Sequence, residues 1–287
     1  MKKLFLLLCV AWLAPAMAAG NGRIVTDSLQ SVVLGAQVKY NVYLPDSFDA
    51  GDRHYPVVYL LHGLSDDYQS WIVKGNMQTV VDELTGTGEA CEMVIVMPNA
   101  GGADIQHTWN GYFNMPGWCY EDFFFTEFLP AVEAKYRAGG DKSRRAIMGL
   151  SMGGGGSVVY CQRHPELFSS CYAMSPWLDN SRNEVWPLDA PKDCAYYVAH
   201  AVRDHSALRF VDEASEETLR SLRTVAWFID CGDDDFLLDQ SLAFYQKMRD
   251  RGVKSELRVR NGVHYWEYWH TALRWSLPFA SRNFYFE

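Results

Sequence analysis

The stretch that decides the fold is RRAIMGLSMGGGG, residues 144–156, in which a short apolar run ends at the pentapeptide GLSMG and a helix-compatible segment follows. This order is typical of a nucleophile elbow, the tight strand-to-helix turn that exposes a serine hydroxyl above the end of a sheet. Glycine suits positions 149 and 153 because the strand and helix backbones approach too closely there for a Cβ. The new helix would aim its positive end and the N–H of Met152 at a developing oxyanion. Ser151 is therefore the candidate nucleophile, and the alternative is a glycine-rich turn without catalytic chemistry.

The bulk composition is that of one globular domain. The chain has 287 residues and 48% hydrophobic residues, which is enough for one large core and predicts a single α/β domain over residues 19–287. The formal net charge is −9, and no basic run is longer than two residues. Nucleic-acid binding therefore lacks its electrostatic signature, and polyanionic substrates are disfavoured.

The N-terminus reads as a secretory signal peptide over residues 1–18. Two lysines at 2–3 precede an apolar run at 4–13 that is too short to span a bilayer, and Ala-Met-Ala at 16–18 is a small-x-small cleavage site. A buried N-terminal helix is the alternative. We expect an exported protein, periplasmic or extracellular, with no membrane association after cleavage.

Six cysteines remain after the predicted cleavage, and they leave two interpretations open. Export permits up to three disulfides, whereas cysteines in apolar runs often act as small hydrophobic residues. No C-x-x-C pair occurs, and no His/Cys cluster has zinc-ligand spacing. The sequence implies no metal and no other cofactor. The six are Cys91, Cys119, Cys161, Cys171, Cys194 and Cys231.

Apolar runs alternate with amphipathic stretches along the chain, which predicts a mostly parallel sheet with helices on both faces. The first two strands, joined over a Gly-Ala turn, should pair antiparallel at a sheet edge. The runs that read as strands are 23–34, 38–44, 56–61, 92–97, the run before Ser151, 168–174, 224–230 and 253–260. The stretches that read as helices are 77–84, 120–137, the elbow to about 163, 237–251 and 265–280.

The pattern loosens from 175 to about 223, where tryptophan and proline interrupt it. Residues 195–202 and the charged segment 212–222 are compatible with helices. We interpret about 176–222 as an insertion over the site, or lid, and not as a second domain.

A serine hydroxyl needs a base, and the base needs an orienting acid. In this architecture the partners follow in the order Ser, Asp or Glu, His, on loops at the carboxyl ends of strands. His264 follows the last predicted strand and is the candidate base. Three adjacent aspartates follow the strand 224–230. Asp235 is the favoured acid, and Asp234 and Asp233 remain alternatives, since the residues not used would serve in a turn or a helix cap.

The oxyanion needs a second donor from the turn after the strand 56–61. The sequence His-Gly-Leu at 62–64 supplies it, which pairs the N–H of Leu64 with that of Met152. We expect His62 itself to be structural.

These segments together resemble the esterase D group of α/β-hydrolases, over roughly residues 38–280. The group includes feruloyl and acetyl-xylan esterases, S-formylglutathione hydrolases, siderophore esterases and mycolyltransferases. The resemblance implies an α/β-hydrolase fold, Ser151 as nucleophile, His264 as base, Asp235 as acid, and the Leu64 and Met152 amides as oxyanion hole. It rests on residues 60–64 with Trp71, 120–124 leading into 129–130, 145–154, 164–168, 231–237 and 262–269.

The predicted substrate is an ester on plant cell-wall polysaccharide, feruloyl or acetyl. The signal peptide disfavours S-formylglutathione hydrolysis, which is cytosolic. Aromatic side chains near the site would suit a phenolic acyl group or sugar rings, and Trp109, Trp177 and Trp266 are the candidates, with core packing as the alternative. Siderophore or other small esters, general carboxylesterase activity and acyl transfer remain open. A non-catalytic carbohydrate-binding protein on the same fold is the alternative of another class.

Overall fold

The computed structural model describes residues 21–183, 185–189 and 191–285, so the predicted signal peptide lies outside the described residues. A central sheet of eight strands has the order β1-β2-β4-β3-β7-β8-β9-β10. Its first two pairings, β1 with β2 and β2 with β4, are antiparallel, and all the others are parallel. The strands are β1 Arg23–Gln30, β2 Gln37–Leu44, β3 Val57–Leu61, β4 Val94–Pro98, β5 Asn114–Met115, β6 Trp118–Cys119, β7 Arg145–Leu150, β8 Ser170–Met174, β9 Ala226–Gly232 and β10 Ser255–Arg260. The mostly parallel sheet predicted from the apolar runs is confirmed, and β5 and β6 form a separate short hairpin.

Helices cover both faces of this sheet. Alternate residues of β3 separate into two cores: Val57, Tyr59 and Leu61 face one, and Val58 and Leu60 face the other. The α-helices are α1 Ser70–Val73, α2 Met77–Thr87, α3 Tyr120–Phe123, α4 Leu129–Tyr136, α5 Ser151–Arg163, α6 Cys194–Asp204, α7 Ala207–Glu213, α8 Glu216–Leu222, α9 Leu238–Asp250 and α10 Trp266–Arg282. The first core contains side chains of α4, α5 and α9, and the second those of α2 and α10.

The stretch 120–137 is not one regular helix, contrary to the sequence prediction. A π-helical turn, Phe124–Phe128, separates α3 from α4. Pro130 lies in the first turn of α4 and has no N–H to donate to the preceding turn, so the backbone widens there. The apolar stripe survives, since Phe124, Phe128 and Val132 are all buried.

The edge hairpin is attached to α4 through one carboxylate. Asp27 Oδ2 accepts hydrogen bonds from the hydroxyls of Tyr40 (2.9 Å) and Tyr136 (2.7 Å), and it also contacts Lys135. Burial by itself would raise the pKa of Asp27, but these donors hold it well below its usual range. The ionised carboxylate therefore stabilises the packing of β1 and β2 on the body of the protein.

The described residues of the predicted insertion, about 176–222, pack beside the sheet and include three short helices. The predicted helix at 195–202 lies within α6, whereas the segment 212–222 divides at Ser215, whose side chain caps α8. Gln162 Nε2 of α5 donates to the Ala207 carbonyl (3.0 Å), and Lys247 of α9 forms an ion pair with Asp212 (2.6 Å). The insertion thus lies against α5 and α9.

All six cysteines of the described chain are free thiols. Cys161 and Cys171 lie buried in the core between α5 and β8, which is the role of small hydrophobic residues. Among the described residues no helix is long and apolar enough to cross a membrane.

Candidate active site

The turn at Ser151 joins β7 to α5 with no intervening loop. Ser151 has φ of +52°, in the left-handed region that side chains other than glycine seldom adopt. A Cβ on Gly149 would lie 2.5 Å from the Gly153 carbonyl oxygen, and one on Gly153 would lie 2.5 Å from the His62 carbonyl oxygen. Both glycines are therefore required by close backbone approach, as the sequence predicts, and the serine is held at the top of the sheet.

Three side chains form a continuous hydrogen-bonded chain at this edge. His264 Nε2 lies 3.0 Å from Ser151 Oγ. On the other side of the ring, His264 Nδ1 lies 3.0 and 2.9 Å from the two carboxylate oxygens of Asp235. With a proton on Nδ1, Nε2 is left as an acceptor facing the serine hydroxyl, which is the arrangement that a general base requires.

Asp235 is the aspartate that contacts the imidazole, whereas Asp233 and Asp234 point elsewhere. Asp233 Oδ1 accepts the Gly262 N–H (2.9 Å) and so anchors the loop that carries His264, while Asp234 is exposed. Burial alone would raise the pKa of Asp235, but hydrogen bonds from His264, Ser175 and the Leu237 N–H hold it below its usual range. Asp235 therefore stays ionised beside the ring.

The turn after β3 carries Leu64 next to the serine. The Leu64 N–H has no hydrogen-bond partner among the described residues. Met152, the second residue of α5, also presents an N–H that lies before the first intrahelical bond. Within the described part of the chain, both amides on which the predicted oxyanion hole depends are thus without an acceptor.

Three buried side chains fix that turn. His62 Nδ1 lies 2.8 Å from the Gly63 carbonyl, and its Nε2 accepts the Ala100 N–H (2.9 Å). The Tyr112 hydroxyl donates to the His62 carbonyl (2.9 Å), and Trp71 Nε1 donates to the Leu61 carbonyl (3.1 Å). Burial lowers the pKa of His62, so the ring is neutral and structural. The roles of Tyr112 and Trp71 were missed at the sequence level.

An open groove of about 540 Å³ leads to Ser151 and His264. Of the three tryptophans proposed to bind substrate, Trp266 lines it. Trp177 is only 2% exposed, with its Nε1 on the Asp179 carbonyl, and Trp109 stacks on Trp118 outside the groove. The described residues of the insertion 176–222 do not line this groove, so their function as a lid stays a prediction. The lining comprises Gly63, Leu64, Ser65, Asp66, Lys74, Leu150, Ser151, His264, Tyr265, Trp266 and Trp269.

Four further side chains in or beside the groove were not proposed as site residues from the sequence. Asp66 and Lys74 form an ion pair (2.7 Å) in its wall, and Tyr265 is 59% exposed at its edge. Phe236, 60% exposed, contacts the His264 ring with 4.5 Å between ring centroids. The position of Tyr265 and Phe236 beside two predicted site residues was the one available signal. Among the described residues no cluster of His, Cys, Asp and Glu could hold a metal ion.

Comparison with known proteins finds esterases. A solved structure of a ferulic acid esterase is 50% identical, has a TM-score of 0.89, and is matched over 92% of this chain and 99% of that one. An endo-1,4-beta-xylanase/feruloyl esterase from Xylanibacter ruminicola is 30% identical over 152 residues, and an esterase from Mycobacterium tuberculosis is 30% identical over 149 residues. These matches cover 52% and 51% of this chain, and the chain spans 21% and 30% of the length of these two curated relatives.

The family profile described as "Putative esterase" matches residues 31–280, which include the elbow, the aspartates and the histidine loop. The fold is that of the α/β-hydrolases, with the mostly parallel sheet described above. The chain therefore belongs to this esterase family.

Proposed function

We propose that the protein is an exported serine esterase that removes feruloyl or acetyl groups from plant cell-wall polysaccharide through a Ser-His-Asp acyl-enzyme mechanism. The observation that carries the proposal is the hydrogen-bonded chain from Ser151 through His264 to Asp235 at the end of an open groove. Export is supported by the signal-peptide pattern of residues 1–18.

In the first half-reaction, His264 Nε2 takes the Ser151 proton as Oγ attacks the ester carbonyl carbon. The carbonyl electron pair moves to oxygen, and the resulting oxyanion accepts hydrogen bonds from the Leu64 and Met152 N–H groups. The Asp235 carboxylate stabilises the imidazolium. When the tetrahedral intermediate collapses, the C–O bond to the alcohol breaks, and His264 gives its proton to the leaving oxygen.

In the second half-reaction, a water molecule takes the place of the alcohol. His264 removes a proton from this water, whose oxygen attacks the acyl-enzyme carbonyl through the same oxyanion hole. Collapse releases the carboxylic acid, and the proton returns to Ser151 Oγ. One ester and one water thus give one acid and one alcohol, and the enzyme is unchanged.

The feruloyl preference is supported by the 50% identical ferulic acid esterase, which is matched over nearly its whole length. The xylanase/feruloyl esterase relative supports a cell-wall setting, although it is a much longer protein. Open access to the serine also suits an ester that projects from a polymer, since a closed pocket would exclude the chain.

The test is a comparison of kcat/KM for methyl ferulate, acetylated xylan and an aryl acetate, with Ser151→Ala as the blank. We expect ferulate to be preferred, a burst of one alcohol per enzyme when deacylation is slower than acylation, and no turnover by the blank. Equal Tm values for the wild type and Ser151→Ala would show that the inactive variant is folded.

Activity on acetyl esters alone would assign a small acyl site and remove the feruloyl part of the proposal. Turnover by Ser151→Ala equal to that of the wild type would refute the serine mechanism. The mass of the N-terminal peptide after secretion tests export: cleavage after Ala18 is expected, and an intact N-terminus in the external fraction would contradict it.

A further inference from the structure

The side of the serine on which the alcohol lies follows from the direction of proton transfer. His264 must protonate the leaving oxygen, so the alcohol portion of the ester has to lie against the imidazole. The residues that follow His264, namely Tyr265, Trp266 and Trp269, form one wall of the 540 Å³ groove. The groove is therefore the place where the alcohol half of the substrate leaves Ser151.

The groove is also lined by a charged pair with unused hydrogen-bonding capacity. Lys74 Nζ donates to Asp66 Oδ1 (2.7 Å), and Lys74 has no other side-chain acceptor among the described residues. An ammonium group has three N–H donors, so two remain available. Asp66 Oδ2 likewise receives no hydrogen bond from the described residues, although the Asp66 side chain is only 7% exposed.

The pair lies beside the reacting centre. A Cβ on Gly63 would lie 3.2 Å from Asp66 Oδ2 and 3.5 Å from Ser151 Cβ, so the carboxylate and the nucleophile flank the same point of the oxyanion turn. The Asp66 N–H donates to the Gly63 carbonyl (3.3 Å), which keeps the carboxylate in register with that turn. A group esterified at Ser151 is thus within reach of the pair.

Aromatic rings adjoin the charged pair. Lys74 Nζ lies 5.9 Å from the centre of a Trp266 ring, and Trp266 is held edge-on by Trp71 (5.1 Å) and Trp269 (5.5 Å). The groove thus offers aromatic rings and, beside them, an open acceptor and open donors. Sugar rings present C–H groups and neighbouring hydroxyls that both donate and accept, and they match both kinds of contact.

The channel continues past the pair. A second depression of about 250 Å³ shares Ser65, Asp66 and Lys74 with the groove and is lined further by Asp67, Gln69, Ser70, Val73 and Ala103. A ligand that extends beyond the first sugar ring would therefore still meet polar side chains. This continuity suits an oligomeric alcohol better than a single small one.

We propose that the groove lined by Asp66, Lys74 and Trp266 is a sugar-binding subsite for the alcohol half of the ester, in which the Asp66–Lys74 pair hydrogen-bonds the sugar hydroxyls. The proposal rests on the proposed function and deepens it by naming the residues that select the alcohol. Lys74 and Asp66 are specificity determinants and take no part in the proton transfers.

The experiment keeps the acyl group constant and changes the alcohol. The ratio of kcat/KM for a feruloylated arabinoxylan oligosaccharide to that for methyl ferulate is measured for the wild type, Lys74→Met and Asp66→Asn. We expect a ratio above one in the wild type that falls about tenfold or more in each variant, which is the effect of losing a hydrogen bond to a charged group. The fall should appear mainly in KM, since the contact exists before the transition state.

Two further variants separate sugar binding from a general loss of rate. Lys74→Met leaves the Asp66 charge unpaired near the oxyanion and should lower kcat/KM for every ester. The double variant Lys74→Met/Asp66→Asn removes that charge, so kcat/KM for methyl ferulate should recover while the ratio of the two kcat/KM values stays low. Arg274→Met is the matched control, because it breaks an equally short ion pair with Glu83 (2.6 Å) outside the groove. Its ratio should equal that of the wild type.

An unchanged ratio in Lys74→Met and in Asp66→Asn would overturn the subsite, even with full feruloyl esterase activity. If the wild type fails on every feruloyl ester, the feruloyl part of the proposed function is wrong. The same ratios are then measured with an acetylated oligosaccharide against methyl acetate, and they decide the subsite on their own.

Discussion

Replacing Asp235 by Asn should disable the base while leaving the shape of the site intact. The Leu237 N–H donates to Asp235 Oδ1 (2.9 Å), so the amide oxygen of the asparagine must take that position. Its NH₂ group then replaces Oδ2, the atom 2.9 Å from His264 Nδ1, and donates to that nitrogen. The imidazole proton moves to Nε2, where it faces Ser151 Oγ at 3.0 Å and prevents deprotonation of the serine.

The expected loss is about 10⁴ in kcat, by analogy with other Ser-His-Asp triads, which corresponds to about 5 kcal/mol of activation free energy. Initial rates and single-turnover bursts with an aryl acetate measure it, because acylation then becomes the slow step. Asp234→Asn is the control, since this neighbouring carboxylate is exposed. A loss below tenfold in Asp235→Asn, or a larger loss in Asp234→Asn, would refute the assignment of the acid.

Other consequences can be measured independently. Glu133→Gln breaks a buried bidentate pair with Arg145 (2.6 and 2.8 Å) and should lower the free energy of unfolding by about 3–5 kcal/mol in urea titrations; a loss below about 1 kcal/mol would contradict this. Gly153→Ala forces a Cβ to within 2.5 Å of the His62 carbonyl, so activity and Tm should both fall, whereas Gly51→Ala, with nothing within 4 Å, should change neither. The lowered pKa of Asp27 adds stability above its unfolded value of 3.8 that is lost as pH falls below it, so Tm should drop less between pH 7 and pH 3 in Asp27→Asn than in the wild type; equal drops would exclude this role.

The parts of the site that lie at strand ends were accessible from the sequence. In the pentapeptide around Ser151, close backbone contacts leave room only for glycine at positions 149 and 153, and His264 lies in the loop after the last strand. Because parallel strands end at the same edge of the sheet, residues far apart in sequence meet there. Among the three aspartates the sequence favoured Asp235 and left Asp234 and Asp233 open, and the coordinates bring the Asp235 carboxylate to 2.9 Å from His264 Nδ1.

The parts that depend on packing between distant segments were not accessible. Tyr112 reaches the carbonyl of His62 across 50 residues, and no local pattern marks either partner. The sequence also does not show which way a tryptophan side chain points: Trp177 is buried in the core, whereas Trp266 lines the groove. The sequence singled out neither Asp66 nor Lys74, because the aromatic residues that adjoin this pair come from α10, far along the chain.

Ser151 has a positive φ, so the backbone conformation that exposes its hydroxyl for reaction is one that serine adopts only at a cost in free energy. A non-glycine residue held there costs about 1–3 kcal/mol, and the rest of the fold must supply it. An inactive Ser151→Gly protein would be relieved of this cost, whereas Ser151→Ala keeps the Cβ and the cost with it. Selection for thermal stability alone would therefore favour the inactive Ser151→Gly protein, and serine stays at this turn because catalysis requires it.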